Sequence, residues 1–258
     1  MSHGPALPAP FLTAPLAHRG LHQKVSGRVE NSLSAIKAAI DAGYSVEIDV
    51  QMSRDGQAIV FHDDRLERLT NLGGRVFDYD AGQLLGLRLR GSPDHIATLP
   101  QVLTLIAGQV SLLIEIKDQT GVLGPSDGRL EHAVYEALRD YQGPVALMSF
   151  NPHAVSHMAK LCPQIPRGLT TDSFSPDEWP GVPKARADHL RQIADYHDCS
   201  ASFISHHWTD LAAPPVEKIR ASGGKILCWT IRNQSEATAV IGLADNITFE
   251  NYRPSVSK

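Results

Sequence analysis

The stretch VEIDVQMSRDGQAIVFHD, residues 46–63, decides how the strands of this chain are counted. Two apolar runs flank SRDGQ, and Asp-Gly between such runs marks a tight hairpin turn, because glycine takes positive φ without steric cost. With Asp55 and Gly56 as a two-residue turn, Arg54 pairs with Gln57, Met52 with Ile59 and Val50 with Phe61, and Asp49 falls opposite His62. Cross-strand partners share a face, and so do residues two apart on one strand. Glu47, Asp49 and His62 are therefore expected on one side of the hairpin, with Ile48 and Val50 on the other. The expectation rests on register, since a slip of one residue turns His62 to the opposite face.

If AIVFHD is the returning arm of a hairpin, it is not a stave of the main sheet. Eight short apolar strands then remain, beginning near residues 15, 45, 110, 144, 166, 201, 225 and 245, and a helical pattern follows each of the first seven. The segment ENSLSAIKAAIDAG (30–43) is typical: Asn31 or Ser32 caps it, Leu33, Ile36, Ala39 and Ile40 form its apolar stripe, and Gly43 ends it. Eight such units in 258 residues predict an α/β fold, a (β/α)8 TIM barrel, with an open doubly wound sheet as the alternative. The hairpin then extends strand 2 beyond the barrel rim. Residues 64–97 form a short insertion before strand 3, and read equally as a lid over the strand ends or a surface loop. No shift in composition divides the chain, so a single domain over residues 1–258 is expected.

A charged fraction of 20% and a net charge of −4, with no long basic block, make nucleic acid an unlikely class of partner and leave small anionic molecules open. Cys162, Cys199 and Cys228 are odd in number and lack CxxC spacing. That pattern argues against a disulfide framework or a zinc site and suits a reducing compartment. The opening MSHGPALPAPFLTAPLAHRG lacks the basic and apolar regions of a signal peptide, and its prolines predict a short extended arm. No apolar run approaches the roughly 20 residues that span a bilayer. A cytoplasmic protein without an integral membrane segment is expected.

Polar residues close four strands: AHRG, VEIDVQ, IEIK and SFN. Barrel enzymes carry their chemistry at the C-terminal ends of strands, which singles out His18, Arg19, Glu47, Asp49, Glu115 and Lys117. Any one of these pairs reads as well as a buried ion pair; four in strand order favour a site. Glu47, Asp49 and Glu115 would repel one another unless a cation joined them, and carboxylate oxygens suit one hard divalent ion, Mg²⁺ or Ca²⁺. Arg19 and Lys117 beside that ion would clamp a phosphate. His18 and His62 can share general acid and general base work. The set describes metal-assisted hydrolysis of a phosphate ester, and the lack of a glycine-rich phosphate loop disfavours nucleotide triphosphates. Trp229 and Phe150 either line the pocket or pack in the core. His206 and His207, at a strand end, read as loop residues or substrate contacts.

In order along the chain, AHRG, ENSLSAIKAAIDAG, VEIDVQMSRDGQAIVFHD, RLERLTNLGGRV, TLPQVL, IEIK, SFNP and CWTIRN resemble the motifs of the glycerophosphodiester phosphodiesterase family. The resemblance spans nearly the whole chain. It implies a TIM barrel, one divalent cation, and hydrolysis of small glycerophosphodiesters to glycerol 3-phosphate and an alcohol. By position it places acid–base histidines on His18 and His62, metal carboxylates on Glu47, Asp49 and Glu115, and phosphate-contacting residues on Arg19 and Lys117, with Glu30 of VENS as a secondary site residue. It leaves open water attack or a cyclic phosphate formed by the substrate's own glycerol hydroxyl. Three features depart from the family pattern. Val29 replaces the usual proline before Glu30, TFENYRP puts Glu250 or Asn251 where a Thr-Asp pair is usual, and the insertion is short and lacks an aromatic stretch. The rival readings are a lysophospholipase D, which needs an apolar mouth for which the insertion offers only LLGLRL, and a catalytically silent binding barrel.

Overall fold

Along β2 (Ser45–Met52) every residue is buried, yet the two faces differ in kind. Val46, Ile48, Val50 and Met52 join the apolar layer beneath the helices, while Glu47 and Asp49 point the other way, as period two requires. The computed structural model, which describes residues 4–256, shows what lies on that second face. In it β1 (Leu16–Ala17), β2, β5 (Leu112–Ile116), β6 (Val145–Ser149), β7 (Arg167–Thr171), β8 (Phe203–His207), β9 (Lys225–Ile231) and β10 (Asn246–Phe249) pair in that order, all parallel. β1 also pairs with β2, so the sheet closes into an eight-stranded barrel. Helices follow the strands on the outside: α2 (Leu33–Asp41) after β1, α5 (Arg129–Leu138) after β5, then α6 (Pro152–Leu161), α7 (Lys184–Arg191), α8 (Pro214–Ala221) and α9 (Gln234–Ala239). α4 (Leu99–Ile106) precedes β5. The Ser32 hydroxyl caps α2 by accepting from the Ala35 N–H at 3.2 Å.

β2 meets β1 at Ser45 and Val46 and outruns it. On the same edge, past the end of β1, β3 (Ala58–Val60) returns antiparallel to β2, and β4 (Ala97–Thr98) adds to β3. The register corrects the two-residue turn. Val50 pairs with Val60, Gln51 with Ile59 and Met52 with Ala58. Arg54, Asp55 and Gly56 therefore form a three-residue loop closed by Ser53 and Gln57, with Ser53 N–H donating to the Gln57 carbonyl at 3.0 Å. Gly56 takes φ +81°, as the last residue of such a loop should. The Ser53 hydroxyl secures the longer turn: it donates to Asp55 Oδ1 at 2.6 Å and accepts from Gln57 N–H at 2.9 Å. Strict alternation in this register would turn His62 away from Asp49. Instead β3 ends at Val60, Phe61 N–H keeps its bond to the Asp49 carbonyl (3.1 Å), and the chain bends at His62.

The insertion is neither a bare lid nor a bare surface loop. Leu66, Val76, Ala81, Leu84, Leu89 and Ile96 pack with Ile59 and Phe61 into a small core of their own. Leu84 and Leu89 of LLGLRL are buried there and do not line a mouth. The N-terminal arm is likewise corrected: it forms a one-turn helix, α1 (Pro10–Thr13), with Pro10 at its start where proline is tolerated. Leu7 and Phe11 pack with Leu16, Leu113, Ala146, Phe203 and Leu227, closing the floor of the barrel.

Gly168 on β7 makes room for that floor. A Cβ at this position would sit 2.5 Å from the Phe203 ring. Gly168→Ala should lower the unfolding free energy by about 1–3 kcal/mol through overpacking. Chemical denaturation of the single variant and of Gly168→Ala/Phe203→Leu checks this, with the second change recovering part of the loss.

Candidate active site

Register brings the carboxylates together. Asp49 and Glu115 are lateral neighbours on β2 and β5, and Glu47 stands one inward position below Asp49. One oxygen from each of the three lies within 4.8 Å of the others, and all three residues are buried. At an effective dielectric constant of roughly 20, each such pair repels by about 3–4 kcal/mol. Lys117, one inward position beyond Glu115, opposes this: its ammonium lies 2.8 Å from Asp49 Oδ1 and 2.6 Å from Glu115 Oε1. Arg19 comes from the turn after β1. Its backbone N–H donates to Glu47 Oε2 at 2.9 Å, and its Nε lies 3.3 Å from Asp49 Oδ2.

The Arg19 turn is forced by close packing. Gly20 takes φ +78°, and a Cβ there would come within 2.8 Å of the Ala35 backbone in α2. The same approach delivers Asn31, whose amide donates to Asp49 Oδ2 at 2.9 Å. Asn31 is thus a site residue and not the helix cap.

Burial raises Asp49, but Lys117, His62, Arg19 and His18 outweigh it and hold the carboxyl well below the usual range. Burial also opposes the charge on Lys117, yet Asp49 and Glu115 keep its ammonium firmly protonated. At Glu47 the compensation, from the Arg19 N–H and the Arg19 charge, is outweighed. Burial first, then Asp49 and Glu115, push it well above the ordinary value. Three carboxylates face two cations, and the unmatched charge falls on Glu47. That donor set, oxygen only, buried and short of one positive charge, fits a hard divalent ion.

Each histidine is held by a carboxylate that an arginine holds in turn. His18 Nδ1 lies 2.9 Å from Glu250 Oε2, and Arg232 Nε donates to Glu250 Oε1 at 2.8 Å. His62 Nδ1 lies 2.8 Å from Asp63 Oδ1, and Arg68 Nε donates to Asp63 Oδ2 at 2.5 Å. With the carboxylates ionised, each Nδ1 is the donor, which leaves Nε2 of each ring as the atom that can exchange a proton. Burial pushes His18 down to about 4, only partly offset by its bond to Glu250. Arg68 also grips Glu30 through Nη1 at 2.8 Å and Nη2 at 2.7 Å, and Glu30 accepts from Arg19 Nη1 at 2.7 Å. Burial raises Glu30, but these bonds, with Arg68 first, bring it down to about 2.

These groups gather around one cleft of ≈ 980 Å³ at the C-terminal ends of the strands. His18, Arg19, Glu47, Asp49, His62, Glu115, Lys117 and Trp229 line it, and Glu30 stands behind Arg19. Phe150 lines it too. His206 does not: it is buried in β8 with Nδ1 2.8 Å from the Thr171 hydroxyl. His207 stacks edgewise on Trp229, ring centroids 5.0 Å apart. Asn251 is exposed at φ +64°, while Glu250 faces His18. Sequence reasoning missed Asn31, Arg68, Arg232 and Trp179. Asn31, Arg68 and Arg232 carried a signal, from their places in ENSLSAIKAAIDAG, RLERLTNLGGRV and CWTIRN, and Trp179 carried none. Among the described residues, no helix is long and apolar enough to cross a membrane.

The sequence model of the glycerophosphoryl diester phosphodiesterase family matches residues 18–247, from His18 into the last strand. The chain belongs to that family. A glycerophosphodiester phosphodiesterase of Caldanaerobacter subterraneus subsp. tengcongensis is 27% identical, over 89% of this chain and 90% of its own. A solved Oleispira antarctica phosphodiesterase, in complex with the product sn-glycerol-3-phosphate, superposes with TM-score 0.75 at 27% identity, covering 94% of each chain. A glycerophosphodiester phosphodiesterase of Parabacteroides distasonis shares the fold with TM-score 0.72 at 20% identity, covering 92% of each chain. For this member of the glycerophosphoryl diester phosphodiesterase family, the closed barrel and the order of strand endings agree with the sequence reading.

The low Glu30 carboxyl links fold to pH. Its folded value, about 2, lies below the ordinary 4.5, so the unfolded chain binds more protons in that window. The stability it contributes is complete above about 4.5 and is lost as pH falls toward about 2. Glu30→Gln should lower stability at neutral pH and flatten the acid limb, as read by thermal unfolding between pH 7 and pH 2.

Proposed function

We propose that the chain hydrolyses glycerophosphodiesters to glycerol 3-phosphate and an alcohol, as a phosphoric diester hydrolase using one divalent cation, Mg²⁺ or Ca²⁺. The observation that carries this reading is the convergence of three buried carboxylates and two cations between two histidines, each of which is oriented by its own carboxylate. The product held by the Oleispira antarctica relative supports the glycerophosphate half of the substrate. A silent barrel would have no use for both histidine–carboxylate pairs.

Glu47, Asp49 and Glu115 would hold the ion, which when bound supplies positive charge to the phosphoryl oxygens. Arg19 and Lys117 add fixed charge on the same side, and Trp229 borders the substrate space. One histidine takes a proton at Nε2 from the attacking water as its oxygen bonds to phosphorus; where the substrate's own glycerol hydroxyl attacks first, a cyclic phosphate forms and water then opens it. The other gives its Nε2 proton to the alcohol oxygen as the second P–O bond breaks. The histidines end with their protonation exchanged, and solvent resets them. Glu250 and Asp63 hold Nδ1–H on both rings, so that the proton exchanged in each step sits at Nε2. The three cysteines are free and buried, which suits work in a reducing compartment such as the cytoplasm.

Chelation with EDTA should stop release of glycerol 3-phosphate from glycerophosphoethanolamine, and Mg²⁺ or Ca²⁺ should restore it; chelator-resistant turnover would rule out the cation. His18→Ala and His62→Ala should each lower kcat by about 10²–10⁴-fold with the circular dichroism spectrum unchanged. Glu250→Gln should lower kcat more than it alters KM, because an amide can donate to Nδ1 and strip Nε2 of its lone pair.

A further inference from the structure

The cleft has two unlike walls. The wall built by the hairpin and the insertion is charged, with Asp63, Asp64, Arg65, Glu67 and Arg68 on it. The lining from the second half of the barrel is richer in apolar surface, with Met148, Phe150, Trp179 and Trp229 beside Thr170, Thr230, Thr248 and Arg232. Met148 sits beside Glu115 in the register of β5 and β6, so this wall begins next to the carboxylate cluster. Phe150 follows on the same face, its ring centroid 5.6 Å from Trp229 and 4.8 Å from Trp179.

Trp179 lies on the loop between β7 and α7 and is fixed there. Its indole N–H donates to Asp172 Oδ2 at 2.8 Å, and its backbone N–H to the Ser175 carbonyl at 3.0 Å. Phe174, fully buried behind it, donates its N–H to Asp172 Oδ1 at 2.5 Å. Phe150, Trp179 and Trp229 are only partly buried, so their remaining surface faces the cleft. A rigid aromatic surface held in a concavity binds apolar groups without a further ordering cost.

The two carboxylates of this wall are engaged by the protein itself. Both Asp172 oxygens are taken by Trp179 and Phe174. Asp118 accepts from the Thr120 hydroxyl, the Asn151 amide and the Leu123 N–H. Both carboxylates are spent on shaping the wall.

Resting on the proposed phosphodiesterase reading, we infer that Phe150, Trp179 and Trp229 form a subsite for an apolar arm of the diester, an alkyl, aryl or acyl group, and that Trp179 sets the preference for it. Such an arm can belong to the leaving alcohol or to an acylated glycerol, and three substrates distinguish the sources: glycerophosphoethanolamine, the hexyl diester of glycerol 3-phosphate, and 1-butyryl-lysophosphatidylethanolamine. At least one apolar substrate should exceed glycerophosphoethanolamine at least tenfold in kcat/KM. Trp179→Ala should reduce that ratio about tenfold, with Trp179→Phe retaining most of it. Calorimetric titration of His62→Ala protein with the same three compounds reads the subsite without turnover, and the favoured apolar compound should bind at least tenfold tighter. Equal kcat/KM and equal Kd across the panel would overturn the subsite, as would a Trp179→Ala effect equal on all three. Failure to hydrolyse any of them, with the apolar preference still present in Kd, would overturn the phosphodiesterase reading and leave the subsite standing.

Discussion

Three carboxylates share one small buried space at the mouth of the barrel, and much of the surrounding structure answers their repulsion. Glu47, Asp49 and Glu115 are placed by strand register alone, so the fold cannot relax them apart without breaking the barrel. It answers with charges of alternating sign set outward from the axis. Lys117 and Arg19 face the cluster, Glu30 faces Arg19, Arg68 faces Glu30, and Asp63 and His62 follow Arg68. From the cluster to Asp63 each ion meets an opposite charge, which offsets part of the cost of desolvating it. The chain runs from the centre of the barrel into the insertion. It explains why a segment with its own small core stays in register with the site: Arg68 is bonded to carboxylates on both the first turn and the hairpin.

The floor of the barrel sets the strength of these interactions. Below the carboxylates, Leu113, Phe203 and Leu227 fill the interior, and Phe11 with Leu7 closes it from outside. Water therefore reaches the cluster from the cleft side, and the low dielectric below magnifies both repulsion and attraction. Gly168 belongs to this arrangement, since the Phe203 ring occupies the space its side chain would take. A floor built by small-for-large exchange between neighbouring strands and a site built by charge are parts of one interior. The inward face of β2 supplies Glu47 and Asp49 to the upper part, while Leu113, level with Glu47 on β5, lies in the lower.

The barrel was legible in the sequence because period-two strands and period-3.6 helices alternate with little interruption. The placement of His18, Arg19, Glu47, Asp49, Glu115 and Lys117 at the cleft was legible because they close strands, and strand ends are ordered in sequence as they are in space. The hairpin register was not. Asp-Gly signals a turn in both two- and three-residue loops, and the choice rests on the Ser53 hydroxyl bonding Asp55 and Gln57. His62 reaches the cleft by a bend after β3, which no alternation rule contains. The one-turn helix of the N-terminal arm was hidden by prolines, although Pro10 at its start is tolerated. Asn31 read as a cap because capping and bonding to Asp49 ask for the same side chain at the same place. Arg232 and Trp179 act across distances of sequence where no spacing rule applies.

This division has a physical source. The acidic and basic groups of the cluster must sit within hydrogen-bonding distance of one another, and adjacent strands β1, β2 and β5 are where a barrel can arrange that, so the chemistry falls in the first half of the chain. The apolar wall needs area more than alignment. The end of β6, the loop after β7 and strand β9 can provide it from rings of any spacing, provided each ring is held. Trp179 shows the consequence. Its position depends on Asp172 and Phe174 and not on the carboxylate cluster, so it can change without disturbing the charges around Asp49. The half of the mouth that holds the charged cluster is thereby constrained by electrostatics, while the aromatic half is free to follow the shape and polarity of whatever is attached to the phosphate.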